Sequence, residues 1–99
     1  MTQTNKVTEQ PKAKFWPGNL YVTAAADRGL VREDVLAALE RHQTSDWGDL
    51  CADDKELNEK ALEDGGRLFS EYHDRKGVKF WIITEADRSA TTVLLPDDY

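Results

Sequence analysis

The chain has few of the residues that build reactive or metal-bound sites. It carries one cysteine, Cys51, and two histidines, His42 and His73. No intramolecular disulfide can form, and with no C-x-x-C and no H-x-x-x-H the short paired spacings of a structural zinc site are missing. A single thiol beside Leu50 reads as a small buried hydrophobe. No apolar run approaches the roughly 18 residues that a membrane span needs. The opening MTQTNKVTEQPKAK has no hydrophobic stretch of the secretory type, which, with the lone cysteine, leads us to expect a cytoplasmic protein. Of the six glycines, Gly65-Gly66 precede Arg67 without a G-x-G-x-x-G or G-K-S/T pattern, so no phosphate cradle is expected. A restriction-type nuclease would want Asp or Glu two positions before a Lys on a strand, and that is absent too. The expectation is therefore no catalytic set, no metal and no cofactor.

What is present is a soluble globular composition, 39% hydrophobic and 32% charged over 99 residues, enough for one modest core. Residues 1–14 hold one large aliphatic, Val7, and are expected as a flexible N-terminal tail to a single domain over 15–99. The net charge of −6 is concentrated in one place. Between Ser45 and Asp64 stand Asp46, Asp49, Asp53, Asp54, Glu56, Glu59, Glu63 and Asp64 against Lys55 and Lys60, a balance of −6, while residues 1–44 sum to +1 and 65–99 to −1. That surface repels phosphate, so direct nucleic-acid binding is not expected and a protein partner with a basic surface is favoured.

The pattern predicts an α+β fold: two to three helices packed on a three- to four-stranded antiparallel sheet, with the strands in a C-terminal β-meander. Phe15-Trp-Pro-Gly-Asn19 is a turn and Leu20-Tyr-Val22 a short extended piece. Thr23 caps a brief helix that ends by Gly29. Residues 30–42, LVREDVLAALERH, place Val31, Val35, Leu39 and His42 on one helical stripe, which Leu36 broadens. Asp53 and Glu56 have the form of a capping box for a surface helix to about Asp64, stopped by Gly65-Gly66. Three strands follow, over 67–72, 78–84 and 90–95. The first two are joined by Asp74-Arg-Lys-Gly77, a type I turn with a glycine bulge. Residues 78–84 are apolar on both faces and belong at the centre.

Two polar loops stand out. In Asp46-Trp-Gly-Asp49 two carboxylates surround an indole; the motif can grip a cation, with Trp47 as a cation–π surface, or Trp47 can plug the core while the aspartates cap turns. In Glu85-Ala-Asp-Arg-Ser89 the acids can share a divalent cation or a basic partner and Arg88 can fork a phosphate or a carboxylate. The same residues also suit an exposed hairpin tip with Arg88 paired to Glu85 or Asp87. The expected partner-binding residues are thus Asp46, Trp47, Asp49, Glu85, Asp87 and Arg88. His42 is expected at the edge of its helix's buried stripe.

The blocks Asp46-Trp-Gly-Asp-Leu50 and Trp81-Ile-Ile-Thr-Glu-Ala-Asp-Arg-Ser89, with Arg41-His42, Asn58, Gly66-Arg-Leu68, Tyr72, Thr91-Thr92, Leu94-Leu-Pro96 and Tyr99, resemble a family of small proteins of bacterial plasmids and integrated mobile elements. The resemblance spans about residues 20–99 and departs after Thr23, where Ala24-Ala25 replaces a Pro-Gly. It implies a mobile-element setting and no defined activity. Some members carry the label of a restriction modification subunit, but the Gly-rich loop and Asn/Asp-Pro-Pro-aromatic motif of a methyltransferase are absent here. The expected function is a non-enzymatic protein-binding accessory factor. Two alternatives remain: a small metal-dependent or nucleotide-directed enzyme on Asp46, Asp49, Glu85 and Asp87, and an acidic inhibitor of a host defence enzyme that imitates nucleic acid.

Overall fold

Strands whose side chains alternate must bury at least one face, and here two helices cover it. In the computed structural model, which describes residues 13–99, the strands are β1 (Asn19–Val22), β2 (Leu68–His73), β3 (Lys79–Thr84) and β4 (Ala90–Leu94), and the helices α1 (Ala24–Gly29), α2 (Arg32–Gln43) and α3 (Ala52–Asp64). A 3-10 turn, Pro96–Asp98, closes the chain. All but Ala13 and Lys14 of the expected tail lies outside the described residues, and the Lys14 N–H donates to the Gln43 carbonyl at 2.7 Å.

The fold is α+β, with three helices and a four-stranded sheet in the order β1-β4-β3-β2. Leu68, Ser70 and Tyr72 of β2, Phe80, Ile82 and Thr84 of β3, and Thr91 and Val93 of β4 are buried, and their register places them on one face. Against them pack Ala26 and Leu30 from α1 and its end, and Val35 and Ala38 from α2. Burying a side chain the size of Phe80 or Ile82 stabilises the fold by about 1.5–3 kcal/mol. The opposite face is covered in part by the chain's own end: Trp81 meets Phe69 and Tyr99 edge-on, at centroid distances of 5.0 and 5.8 Å.

The meander β2-β3-β4 is as expected, and β3 is interior. The purely antiparallel sheet is corrected: β1 joins parallel to β4, Asn19 opposite Ala90 through Val22 opposite Val93. The reason is topological. The chain lays down β1 first and returns three helices and two strands later, so β4 runs beside it in the same direction. Thr91 Oγ1 donates to the Pro17 carbonyl at 2.7 Å before β1, and Thr23 Oγ1 to Asp98 at 2.7 Å after it.

Local expectations divide. Thr23 caps α1, accepting from the Ala26 N–H at 3.2 Å. The capping box at Asp53 does not form: α3 begins at Ala52, with Cys51 at its N-cap and no side-chain bond there. Cys51 is exposed rather than buried. Leu36 is 55% exposed and stands outside the buried stripe of α2.

The outer edge of β2 is sealed twice. The Asn58 side chain donates to the Phe69 carbonyl at 2.6 Å and accepts from its N–H at 3.1 Å, imitating one residue of a neighbouring strand. Beyond it, Glu71 N–H donates to the Trp47 carbonyl and Asp49 N–H to the Glu71 carbonyl. Gly48 makes this approach possible: its φ is +76°, and a Cβ would collide with the Glu71 carbonyl oxygen and stand 2.7 Å from the Tyr72 ring. Gly77, at φ +83°, has open space around it. Gly77→Ala is expected to lose about 1–2 kcal/mol from the left-handed backbone alone. Gly48→Ala, which adds a backbone collision, should lose at least about 3 kcal/mol. Urea titration of the two variants measures the difference.

Candidate partner-binding site

Helix α3 carries little apolar surface inward: Leu57 is 63% exposed and its one buried residue is Asn58. It is moored by polar contacts instead. Asn58 holds β2, and Glu59 Oε2 accepts from the Trp47 indole N–H at 2.8 Å. Its last turn contains no basic residue, so its terminal carbonyls need a cation from elsewhere. Arg88 supplies it. One guanidinium nitrogen donates to the carbonyls of Gly66, Glu85 and Ala86 at 2.6, 3.0 and 3.1 Å, and the other to the Ala61 carbonyl at 3.2 Å.

The six residues expected to meet a partner therefore fare differently. Asp46 is exposed but bidentate to Arg41, at 2.7 and 3.2 Å, and the Arg41 guanidinium holds its carboxyl below the ordinary range. Trp47 is 3% exposed, its ring edge-on to His42 at 5.6 Å and its indole N–H spent on Glu59; of its two expected roles it takes that of the core plug, because burial leaves no ring face open to a cation. Asp49 is exposed and meets His73 Nδ1 at 2.8 Å. Glu85 is half-buried with Arg67 at 3.4 Å. Asp87 is exposed and accepts from Ser89 N–H at 3.0 Å; hydrogen bonds from Ser89 lower its pKa. Arg88, expected at the tip, is corrected to an inward clamp: with φ at +61° it turns away from solvent, its guanidinium 5.7 Å from the Phe15 ring centroid.

The four acids Asp46, Asp49, Glu85 and Asp87 thus each have a separate partner. Among the described residues no three His, Cys, Asp or Glu side chains are placed to hold a metal ion. The acids of α3 differ from these four. Asp53, Asp54, Glu56, Glu59, Glu63 and Asp64 are all exposed, and among the described residues none forms an ion pair.

A second set of polar residues lies inside. His42 has no exposed surface; its Nδ1 is 2.5 Å from Ser70 Oγ and its Nε2 is 2.9 Å from Thr84 Oγ1. Thr84 Oγ1 is 2.7 Å from Thr91 Oγ1, and Thr91 donates to the Pro17 carbonyl. The direction of this chain follows from its end. A carbonyl only accepts, so Thr91 donates to Pro17, Thr84 donates to Thr91, His42 Nε2–H donates to Thr84, and Ser70 donates to a bare Nδ1. Burial, seconded by the charge of Arg88, lowers the His42 pKa to about 3. Ser70 and His42 are spaced like a nucleophile and its base, yet both have no accessible surface, and a substrate cannot reach them. The helical stripe pointed to a buried His42, but its hydroxyl partners lie 28 and 42 residues away and no local pattern announces them.

Asp74 ties the β2-β3 turn to the start of α2, its Oδ2 accepting from the Val31 N–H at 3.1 Å. Burial pushes its carboxyl up, but the N–H groups of Val78, Val31 and Lys76 outweigh that and lower its pKa. No protein-family model, curated protein or solved structure matches this chain.

Two predictions follow from these geometries. Arg88→Lys keeps the charge but loses the fork across four carbonyls, and should cost about 1–3 kcal/mol in chemical unfolding, more than Asp87→Ala. Nitrogen-15 spectra should show His42 as the Nε2–H tautomer, its ring still neutral at pH 4. The unfolded chain takes up a proton at this histidine near pH 6.5 while the folded one does not until about 3. Its contribution is therefore complete above pH 6.5 and lost as pH falls toward 3, by up to about 1.4 kcal/mol per unit.

Proposed function

We propose that this chain is a non-enzymatic protein-binding accessory factor of a plasmid or mobile element, and that it holds a partner with a basic surface through the outer face of α3. The observation that carries this reading is the state of the α3 acids: six carboxylates against Lys55 and Lys60, exposed and without ion pairs among the described residues. Two of them, Glu63 and Asp64, stand in the last turn, where the helix dipole disfavours negative charge. Helix stability therefore does not account for them, whereas attraction to a cationic surface does. The mobile-element setting rests on the resemblance of the DWGDL and WIITEADRS blocks. Asp46, Asp49, Glu85 and Asp87 are tied to their own neighbours and frame this face rather than contribute free charge.

The test is affinity capture from a host lysate with wild type and the double variant Glu56→Lys, Glu63→Lys, at about 0.05 M and about 0.5 M salt. The variant should fold at least as stably, since Glu63→Lys improves the dipole interaction by about 0.3–1 kcal/mol. It should lose a basic protein that wild type retains only at low salt. A partner held equally by both proteins, or held independently of salt, would refute the assignment.

A further inference from the structure

The two edges of the sheet are finished differently. The β2 edge is closed by Asn58 and the Trp47–Asp49 segment, whereas β1, at the other end of the strand order, has no neighbour beyond it among the described residues. Asn19 and Thr23 donate inward to Ser89 and Val93 of the β4 side. By the two-residue period of a parallel ladder, the N–H and C=O groups of Leu20 and Val22 point outward. Leu20, Tyr21 and Val22 are 57, 52 and 45% exposed. None of the usual protections of an edge, a charge, a proline or a bulge, occurs within Asn19–Val22. Leu20 and Val22 also line an apolar groove with Leu30 and the exposed Leu36, flanked by Asp27 and Arg32.

We infer that this edge pairs with the β1 edge of a second copy, antiparallel about a two-fold axis through Tyr21. The register follows from which groups are free. Leu20 opposite the other copy's Val22, and Val22 opposite its Leu20, are hydrogen-bonded pairs that satisfy all four outward groups of each strand, two N–H and two C=O, and Tyr21 faces its own counterpart as the non-hydrogen-bonded pair between them. One four-residue strand is thus its own complement, and two sheets become one of eight strands. Charge permits the contact at this edge. The molecule's negative excess lies on the 45–64 segment, while residues 1–44 sum to +1. Asp27 and Arg32, without ion-pair partners among the described residues, bring both signs to the groove. This surface is separate from the α3 face.

Sedimentation of the full chain from about 1 µM to about 0.5 mM, a span that covers weak to firm association, should show a monomer–dimer equilibrium that survives high salt. Leu20→Lys with Val22→Lys should weaken it at least tenfold, with the thermal midpoint of the dilute, monomeric protein unchanged. In a Cys51→Ser background, Tyr21→Cys should oxidise to a disulfide-linked dimer much faster than Leu57→Cys, because a non-hydrogen-bonded pair holds the two Cα atoms about 4.5 Å apart. This second measurement decides the matter if the lysine variant does not fold. A protein that is monomeric throughout, a dimer indifferent to the lysines, or equal cross-linking at both cysteines would overturn the inference; the monomer would leave the edge to a strand from a different protein.

Discussion

A neutral imidazole sealed inside the sheet sets the terms for the rest of this structure. His42 of α2 reaches Ser70 on β2 and Thr84 on β3, and through Thr84 it reaches Thr91 on β4 and the Pro17 carbonyl at the entry to β1. One hydrogen-bonded line thus touches every strand or its threshold. Because the line ends at a carbonyl, its direction is forced, and removing any member leaves a buried donor or acceptor unsatisfied at a cost of about 1–3 kcal/mol. A hydrophobic residue in place of the histidine could fill the volume but could not specify which strand lies beside which.

The same ring is the middle of a second line. Arg88 lies over Phe15, Phe15 meets His42 edge-on at 5.3 Å, His42 meets Trp47, and the Trp47 indole donates to Glu59. Contacts therefore run from the β3-β4 turn through the core to α3, and Arg88 returns to the far end of that helix through the Ala61 and Gly66 carbonyls. The charge of Arg88 also helps keep His42 neutral. Fold specificity and the placement of the acidic helix accordingly depend on one set of neighbours.

Much of this was readable in order along the chain. Strands β2 to β4, the glycine turn after Asp74 and the body of α2 are local in origin: a two-residue or 3.6-residue period, bounded by residues with special backbone freedom. The misreadings share a physical cause, which is distance. Strand β1 has no alternation of burial, and its partner lies about seventy residues on. Arg88 reads as a tip residue until Ala61 and Gly66 arrive beside it. Asn58 reads as a polar position on a surface helix, although it is the one residue of α3 that is buried. Leu36 fits the apolar period of α2 yet stays exposed, because no described residue fills the groove beside it. For the candidate site, the location of the acidic excess was legible; which acids already have partners was not, since that depends on Arg41, Arg67 and His73 arriving through the fold.

How α3 is attached bears on what it can present. An amphipathic helix held by an apolar stripe must devote three or four positions in every two turns to the core. α3 is held by an asparagine that copies a strand, a glutamate on an indole and an arginine at its carboxyl end, so nearly all its positions face water. Those moorings leave the outer carboxylates without structural duties. Their number and spacing can then change with the demands of a partner while the sheet, the buried histidine and the β2 edge stay as they are. The β1 edge is the converse: its backbone pattern cannot be altered without altering the sheet, so what it accepts is decided by geometry rather than by charge.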